Sequence, residues 1–159
     1  MYSLADIIGI GLRQIMSITV NWDNEQHNII RVTFNGPEAW DCVGACHQEF
    51  YPLVEQTEGR VDLIVDLQQA PGPSTPAAFV GLVRAYMNAP RNAGTCVLIG
   101  ANAFTRMLAS NFLQSADWHY RILVADSDAE ARQRLAECAL AERTAENPAA
   151  AWHFSPQAS

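Results

Sequence analysis

The sequence contains no lysine, and all ten of its basic residues are arginines. That absence excludes Schiff-base chemistry and a Walker-A phosphate loop, both of which need an ammonium group. Positive charge is scarce altogether: seventeen acidic residues against ten arginines leave a net charge of -7. A phosphate backbone needs clustered positive charge, so a nucleic-acid partner is not predicted. Cysteine is sparse as well. Cys42, Cys46, Cys96 and Cys138 are too few, and too apolar in context, to form a disulfide framework. Near the amino terminus the longest apolar patch, Ala5 to Leu12, is interrupted by Asp6 and has neither a basic stretch ahead of it nor a small-residue cleavage site. No signal peptide or membrane span is therefore predicted, and the expected location is the cytoplasm.

What is present is one domain's worth of chain: 159 residues, 49% of them hydrophobic, with no linker or repeat. The most telling stretch is Val61 to Pro76, VDLIVDLQQAPGPSTP. Its first six residues, Val61 to Asp66, are too short for a helix and too apolar for an edge strand, so they read as the buried central strand of a parallel sheet. A Pro/Gly loop then leads to Ser74, Thr75 and Pro76, a helix start. Open α/β proteins keep their sites at such strand-to-helix loops.

Around this stretch the period alternates between helix and strand. Leu4, Ile7, Ile8, Leu12, Ile15 and Met16 fall at helical spacing and predict an amphipathic helix over residues 3 to 16, which Gly9 and Gly11 weaken. Met16-Ser17 reads as a second start, because everything after it reads as a complete domain. Ile18, Val20 and Trp22, then Ile30, Val32 and Phe34, alternate with polar residues and predict a β-hairpin. A helix follows Pro37, with Pro52 expected to kink or restart it. Beyond the central strand come a helix from about Thr75 to Ala89, a strand at Thr95 to Ile99, a helix carrying Phe104, Met107, Leu108 and Phe112, and a strand at Tyr120 to Val124. A capping box at Ser127 to Glu130 opens the last helix, which runs to about Ala145. These elements predict an α/β fold: a mixed, mostly parallel sheet of about five strands, with helices as crossovers. The expected organisation is an amphipathic, possible docking segment at 1–16, a domain at 17–145 and a tail at 146–159.

The order strand-strand-helix-strand-helix-strand-helix-strand-helix, over roughly Ser17 to Ala145, resembles the STAS family, the anti-sigma-factor antagonists and their relatives. The chain is similar to small bacterial STAS-like proteins at Val20-Asn21-Trp22, Trp40-Asp41, Val65-Asp66-Leu67 and Asn102-Ala103-Phe104. The resemblance implies a STAS-like fold and a regulatory switch in which a partner kinase phosphorylates a serine or threonine after the central strand. By position that site falls at Ser74 and Thr75. The family's loop ends in Asp-Ser-Ser/Ala-Gly, whereas here Pro73 precedes Ser74 and Pro76 follows Thr75.

Each candidate site also has a plainer structural reading. Ser74 and Thr75 can take phosphate, or simply cap the helix that follows. Asp66 stands where a catalytic acid would, or accepts backbone N–H groups from the loop Gln68 to Gly72. Gly100, Asn102 and Thr105 lie between a strand and a helix, where an anion or small ligand binds, and Asn102 also suits a helix cap. Together with Asp66 and Gln68 they define a possible ligand groove. Cys42 and Cys46, beside His47 and Glu49, have the spacing of soft-metal ligands, but core packing is the expectation, and no metal or other cofactor is predicted. Leu4, Ile7, Ile8, Leu12, Trp152 and Phe154 are the candidate assembly surface, since a tail of alanine, proline and serine has little reason to carry two aromatics unless they dock.

No convergent Ser/His/Asp, metal or phosphate-loop constellation appears in the sequence, so catalysis is not expected. The functional expectation is a non-enzymatic regulatory or scaffolding module that binds another protein or itself, as a homo-oligomer. The alternative is a small-molecule-binding domain that uses the loops at the carboxyl edge of the sheet.

Overall fold

The computed structural model describes residues 13–15, 17–114 and 122–146. Six strands form one sheet in simple sequence order: β1 (Arg13–Ile15), β2 (Ile18–Trp22), β3 (Ile29–Phe34), β4 (Val61–Asp66), β5 (Ala93–Ile99) and β6 (Ile122–Ala125). The pairs β1/β2 and β2/β3 are antiparallel, and β3 through β6 are parallel. The sheet is thus mixed and mostly parallel, as the alternating periods predict. Its parallel joins need crossovers, and the helices supply them. These are α1 (Ala39–Cys42), a 3-10 turn (Val43–Ala45) and α2 (His47–Glu55) before β4, α3 (Pro76–Met87) before β5, and α4 (Ala103–Gln114) before β6, with α5 (Asp128–Glu146) following the sheet.

Successive right-handed crossovers in one direction bring their helices to the same face. The core is divided accordingly. Val32, Leu63, Val65, Cys96 and Leu98 pack with Trp40, Phe50, Phe79 and Tyr86 of the crossover segments. Ile64, Val97, Ile99 and Ala125, which alternate with them along the strands, pack instead with Ala131 and Leu135 of α5. Period-two alternation therefore gives β4 and β5 two apolar faces. The register Ile64↔Val97↔Leu123 sets the face beneath α5.

Three expectations change. Arg13–Ile15 is a strand, not part of a helix over residues 3 to 16. Its pairing with β2, Arg13↔Val20 through Ile15↔Ile18, fills an edge that would otherwise leave backbone groups unpaired, and that gain outweighs a weak helical pattern. This makes six strands where about five were predicted. The helix after Pro37 breaks at Val43–Ala45 rather than at Pro52, which lies inside α2. Gly44 is the poorest helix former in that stretch. The break sets Val43 against Gly81 of α3, where an added Cβ would stand 3.2 Å from Val43 Cγ1.

Local signals account for the ends of elements. In the β2–β3 loop Asn24 Oδ1 accepts the N–H groups of Asn28 and Ile29, each at 3.2 Å. His27 adopts φ +53°, and its ring stacks on Trp22 with centroids 4.9 Å apart. Ser127 caps the last helix as predicted, its Oγ accepting from Glu130 N at 3.1 Å, while Glu130 Oε2 reaches back one residue past the cap and accepts from Asp126 N at 2.7 Å. That hydrogen bond, with Arg134 beside it, holds the Glu130 carboxyl below its usual range.

Candidate functional site

At the carboxyl edge, the residues singled out by sequence come together as two loops bonded to each other. Leu67 N donates to Ile99 O at 2.8 Å, and Asn102 N donates to Pro71 O at 2.8 Å. Thr105 Oγ1 lies 3.0 Å from Pro71 O and 2.9 Å from Asn102 Oδ1, and Asn102 Oδ1 also accepts Thr105 N. Asn102 is therefore the side-chain cap of α4. Gly100 has φ +77°, and an added Cβ there would stand 2.8 Å from Gln68 N. A Cβ on Gly72 would collide with the Asn102 amide. Trp40 Nε1 donates to Ala70 O at 3.0 Å and anchors the first loop to the core.

Asp66 is committed as well. Its Oδ1 accepts Gln68 N at 3.0 Å, and its Oδ2 pairs with Arg31 Nη1 at 3.2 Å. Arg31 also reaches Asp23 Oδ1 at 2.7 Å and Asp128 Oδ1 at 2.5 Å. Burial alone would lower the Arg31 pKa, but its bonds to Asp128 and Asp23 outweigh that and hold it above the ordinary value. Arg132 of α5 meets the second Asp23 oxygen at 2.5 Å. Asp23 is the first residue of the β2–β3 loop and lies toward the amino edge, so Arg31 in the middle of β3 ties that loop to β4 and α5.

What this corner turns outward is different. Ser74 and Thr75 are exposed. Thr75 takes the N-cap position of α3 in an extended conformation, φ −139° and ψ 151°, yet its side chain makes no cap hydrogen bond. On α4, just past the second loop, Phe104 and Met107 are 38% and 50% exposed.

A second polar cluster, not anticipated from the sequence, lies at the amino edge beneath α5. The buried Asp62 accepts from Arg60 Nε and from Thr95 N, each at 2.8 Å. Arg60 Nη2 donates to Thr95 Oγ1 at 2.8 Å, while Nη1 faces Glu142. Burial pushes the Asp62 carboxyl above its usual value, and Arg60 and the Thr95 N–H only partly offset this. Beside the cluster a groove of about 740 Å³ runs between α5 and the β2–β3 loop, with Ile29, Leu135 and Ala139 among its apolar lining and His27, Arg132 and Arg143 among its polar lining. The signal for the cluster was an acid in an apolar run, since Asp62, Ile64 and Asp66 share one face of β4.

Cys46 and Cys96 border the same small apolar space as Phe50 and Leu82. Burial pushes both thiols up to about 12. His47 packs its ring on Tyr51, 5.2 Å between centroids. Among the described residues no helix is long and apolar enough to cross a membrane. The candidate assembly residues Leu4, Ile7, Ile8, Leu12, Trp152 and Phe154 lie outside the described residues. Compared with known proteins, the chain matches no family model, no curated protein and no solved structure.

Proposed function

We propose that this chain is a non-enzymatic protein-interaction module of STAS-like type, which binds a partner protein or a second copy of itself through its carboxyl-edge corner. The observation that supports this reading is the division of labour there. Asn102, Thr105, Asp66 and the Pro71 carbonyl bond within the protein, while Ser74, Thr75, Phe104 and Met107 face outward. Loops fixed in this way present a preorganised surface, and preorganisation lowers the ordering cost of association. Exposed Phe and Met are also residues that interfaces favour. A small molecule held between the same loops has less support, because the groups that would greet it already have protein partners.

Sedimentation velocity of the full chain tests the reading, with Phe104→Glu/Met107→Glu as the comparison and quantitative capture on immobilised protein for a foreign partner. Both positions are exposed, so the variant should keep its melting temperature while losing self-association or capture. A wild-type chain that stays monomeric and captures nothing that the variant fails to capture would overturn it.

A further inference from the structure

We propose that the groove between α5 and the β2–β3 loop is a docking site for the chain's own carboxyl-terminal segment, with Trp152 and Phe154 seated on its apolar floor. The groove lies at the opposite edge of the sheet from Ser74 and Thr75, so its occupancy is independent of the reading above. It is an elongated feature. Its α5 wall runs from Arg132 to Glu146, which at the helical rise is a length of about 21 Å.

The occupant follows from where the chain goes. Glu146 is both the last residue of α5 and a lining residue of the groove. The next residues, Asn147 to Ser159, read NPAAAWHFSPQAS and contain no Asp, Glu or Arg. Asn147-Pro148 disfavours continuing the helix and permits the chain to turn back. Trp152 is six residues beyond Glu146, so an extended segment carries it up to about 20 Å, nearly the full length of the groove. Reach is therefore sufficient, and the segment itself brings no Asp, Glu or Arg side chain to be desolvated.

The lining matches the segment chemically. Ala136 and Ala139 on α5 leave width for large rings above Ile29 and Leu135. Arg132 is held by Asp23, whereas Arg143, farther along the α5 wall, is an exposed guanidinium that can cover an indole face. The amides of Asn24 and Asn28 are bonded to each other within the β2–β3 loop, but the exposed Gln26 beside them offers an amide that can meet an extended backbone. A volume of about 740 Å³ is within the range of sites that enclose compact apolar ligands.

Hydrogen–deuterium exchange on the full-length chain tests this against the full-length Trp152→Ser/Phe154→Ser variant. Backbone amides of residues 24–28 and 139–146 should exchange at least about tenfold faster in the variant. A synthetic peptide of residues 147–159, added to that variant, should restore slow exchange. Ala139→Arg keeps both aromatics but fills the floor, and it should behave like the double variant at an unchanged melting temperature. Equal exchange in wild type and double variant overturns the proposal, as does a peptide that restores nothing. Protection that disappears when the wild-type chain is diluted assigns the groove to a second copy's tail and overturns docking within one chain.

Discussion

Arg31 Nε donates to Asp23 Oδ1 across 2.7 Å, and the Asp23 side chain is only 6% exposed. Asp23 is otherwise met by Arg132, whose side chain is 45% exposed. Removing Arg31 therefore leaves a shielded carboxylate with one partly solvated partner. Breaking a buried pair from one side costs about 3–5 kcal/mol. With Arg132 retained, Arg31→Met should cost less than that range, about 2–3 kcal/mol, seen as a melting temperature lower by roughly 5–10 °C. Asp128→Ala removes a half-exposed partner and should change stability by less than about 1 kcal/mol. Equal losses in the two variants would mean that burial of Asp23 does not set the energetics of the network.

Asp62 makes a prediction about pH. Its pKa is raised in the folded protein, chiefly by burial, above the ordinary 3.8. In the interval between those two values the folded state holds more protons than the unfolded chain, so stability falls as pH rises through it. Arg60 and Thr95 face the carboxylate, and Glu142 lies on the far side of Arg60. Glu130 acts with the opposite sign: its lowered pKa gives stability that is present above 4.5 and lost as pH falls. The difference between wild type and Asp62→Asn isolates the first effect. Urea unfolding over a pH series should show wild type losing ground to the variant as pH rises above 3.8, with a constant difference once Asp62 is fully ionised in both states. A difference that is flat throughout would contradict a raised Asp62.

The two networks also show where sequence reading stops. Val61 to Asp66 was legible as a buried strand because the run is short and continuously apolar. The last helix start was legible because Ser127 and Glu130 stand three apart. Asn102 was legible as a cap, but nothing in its spacing reveals that Pro71, 31 positions earlier, supplies the carbonyl that its N–H and Thr105 meet. The strand Arg13–Ile15 was hidden for a similar reason. Three residues carry little periodicity, and their conformation follows from the edge that β2 presents. Asp62 and Asp66 could be placed on one face of β4, yet the segment that covers that face, α5, buries only Ala131, Leu135 and Cys138 and announces itself weakly. The groove at the amino edge depends on that covering helix, so it appears only in three dimensions.

The cysteines should prove inert in the folded state. With the thiols of Cys46 and Cys96 lifted to about 12, the thiolate at neutral pH is a very small fraction, and the thiolate is the reactive form. Both side chains are also shielded, at 1% and 2% relative exposure. Iodoacetamide labelling read by peptide mass spectrometry should leave Cys46 and Cys96 unmodified in buffer and label both in denaturant. Rapid labelling of either residue under native conditions would show that the apolar space between α2 and β5 opens.

Ser74 and Thr75 separate a capping role from an interaction role. Glutamate at either position adds negative charge beside the amino terminus of α3, where the helix dipole favours it by about 0.3–1 kcal/mol. Thr75 makes no cap hydrogen bond that the change would break, so Ser74→Glu/Thr75→Glu should melt at the wild-type temperature or slightly above it. The same two charges stand on the corner that is proposed to meet a partner. Placing them against a partly apolar contact should weaken association at least about tenfold, because charge at an interface must be desolvated or paired. Melting curves and sedimentation velocity on one sample read both effects. Stability held with association lost is the signature of a surface site that phosphate could switch, whereas stability gained with association intact would reduce these two hydroxyls to ornaments of a helix end.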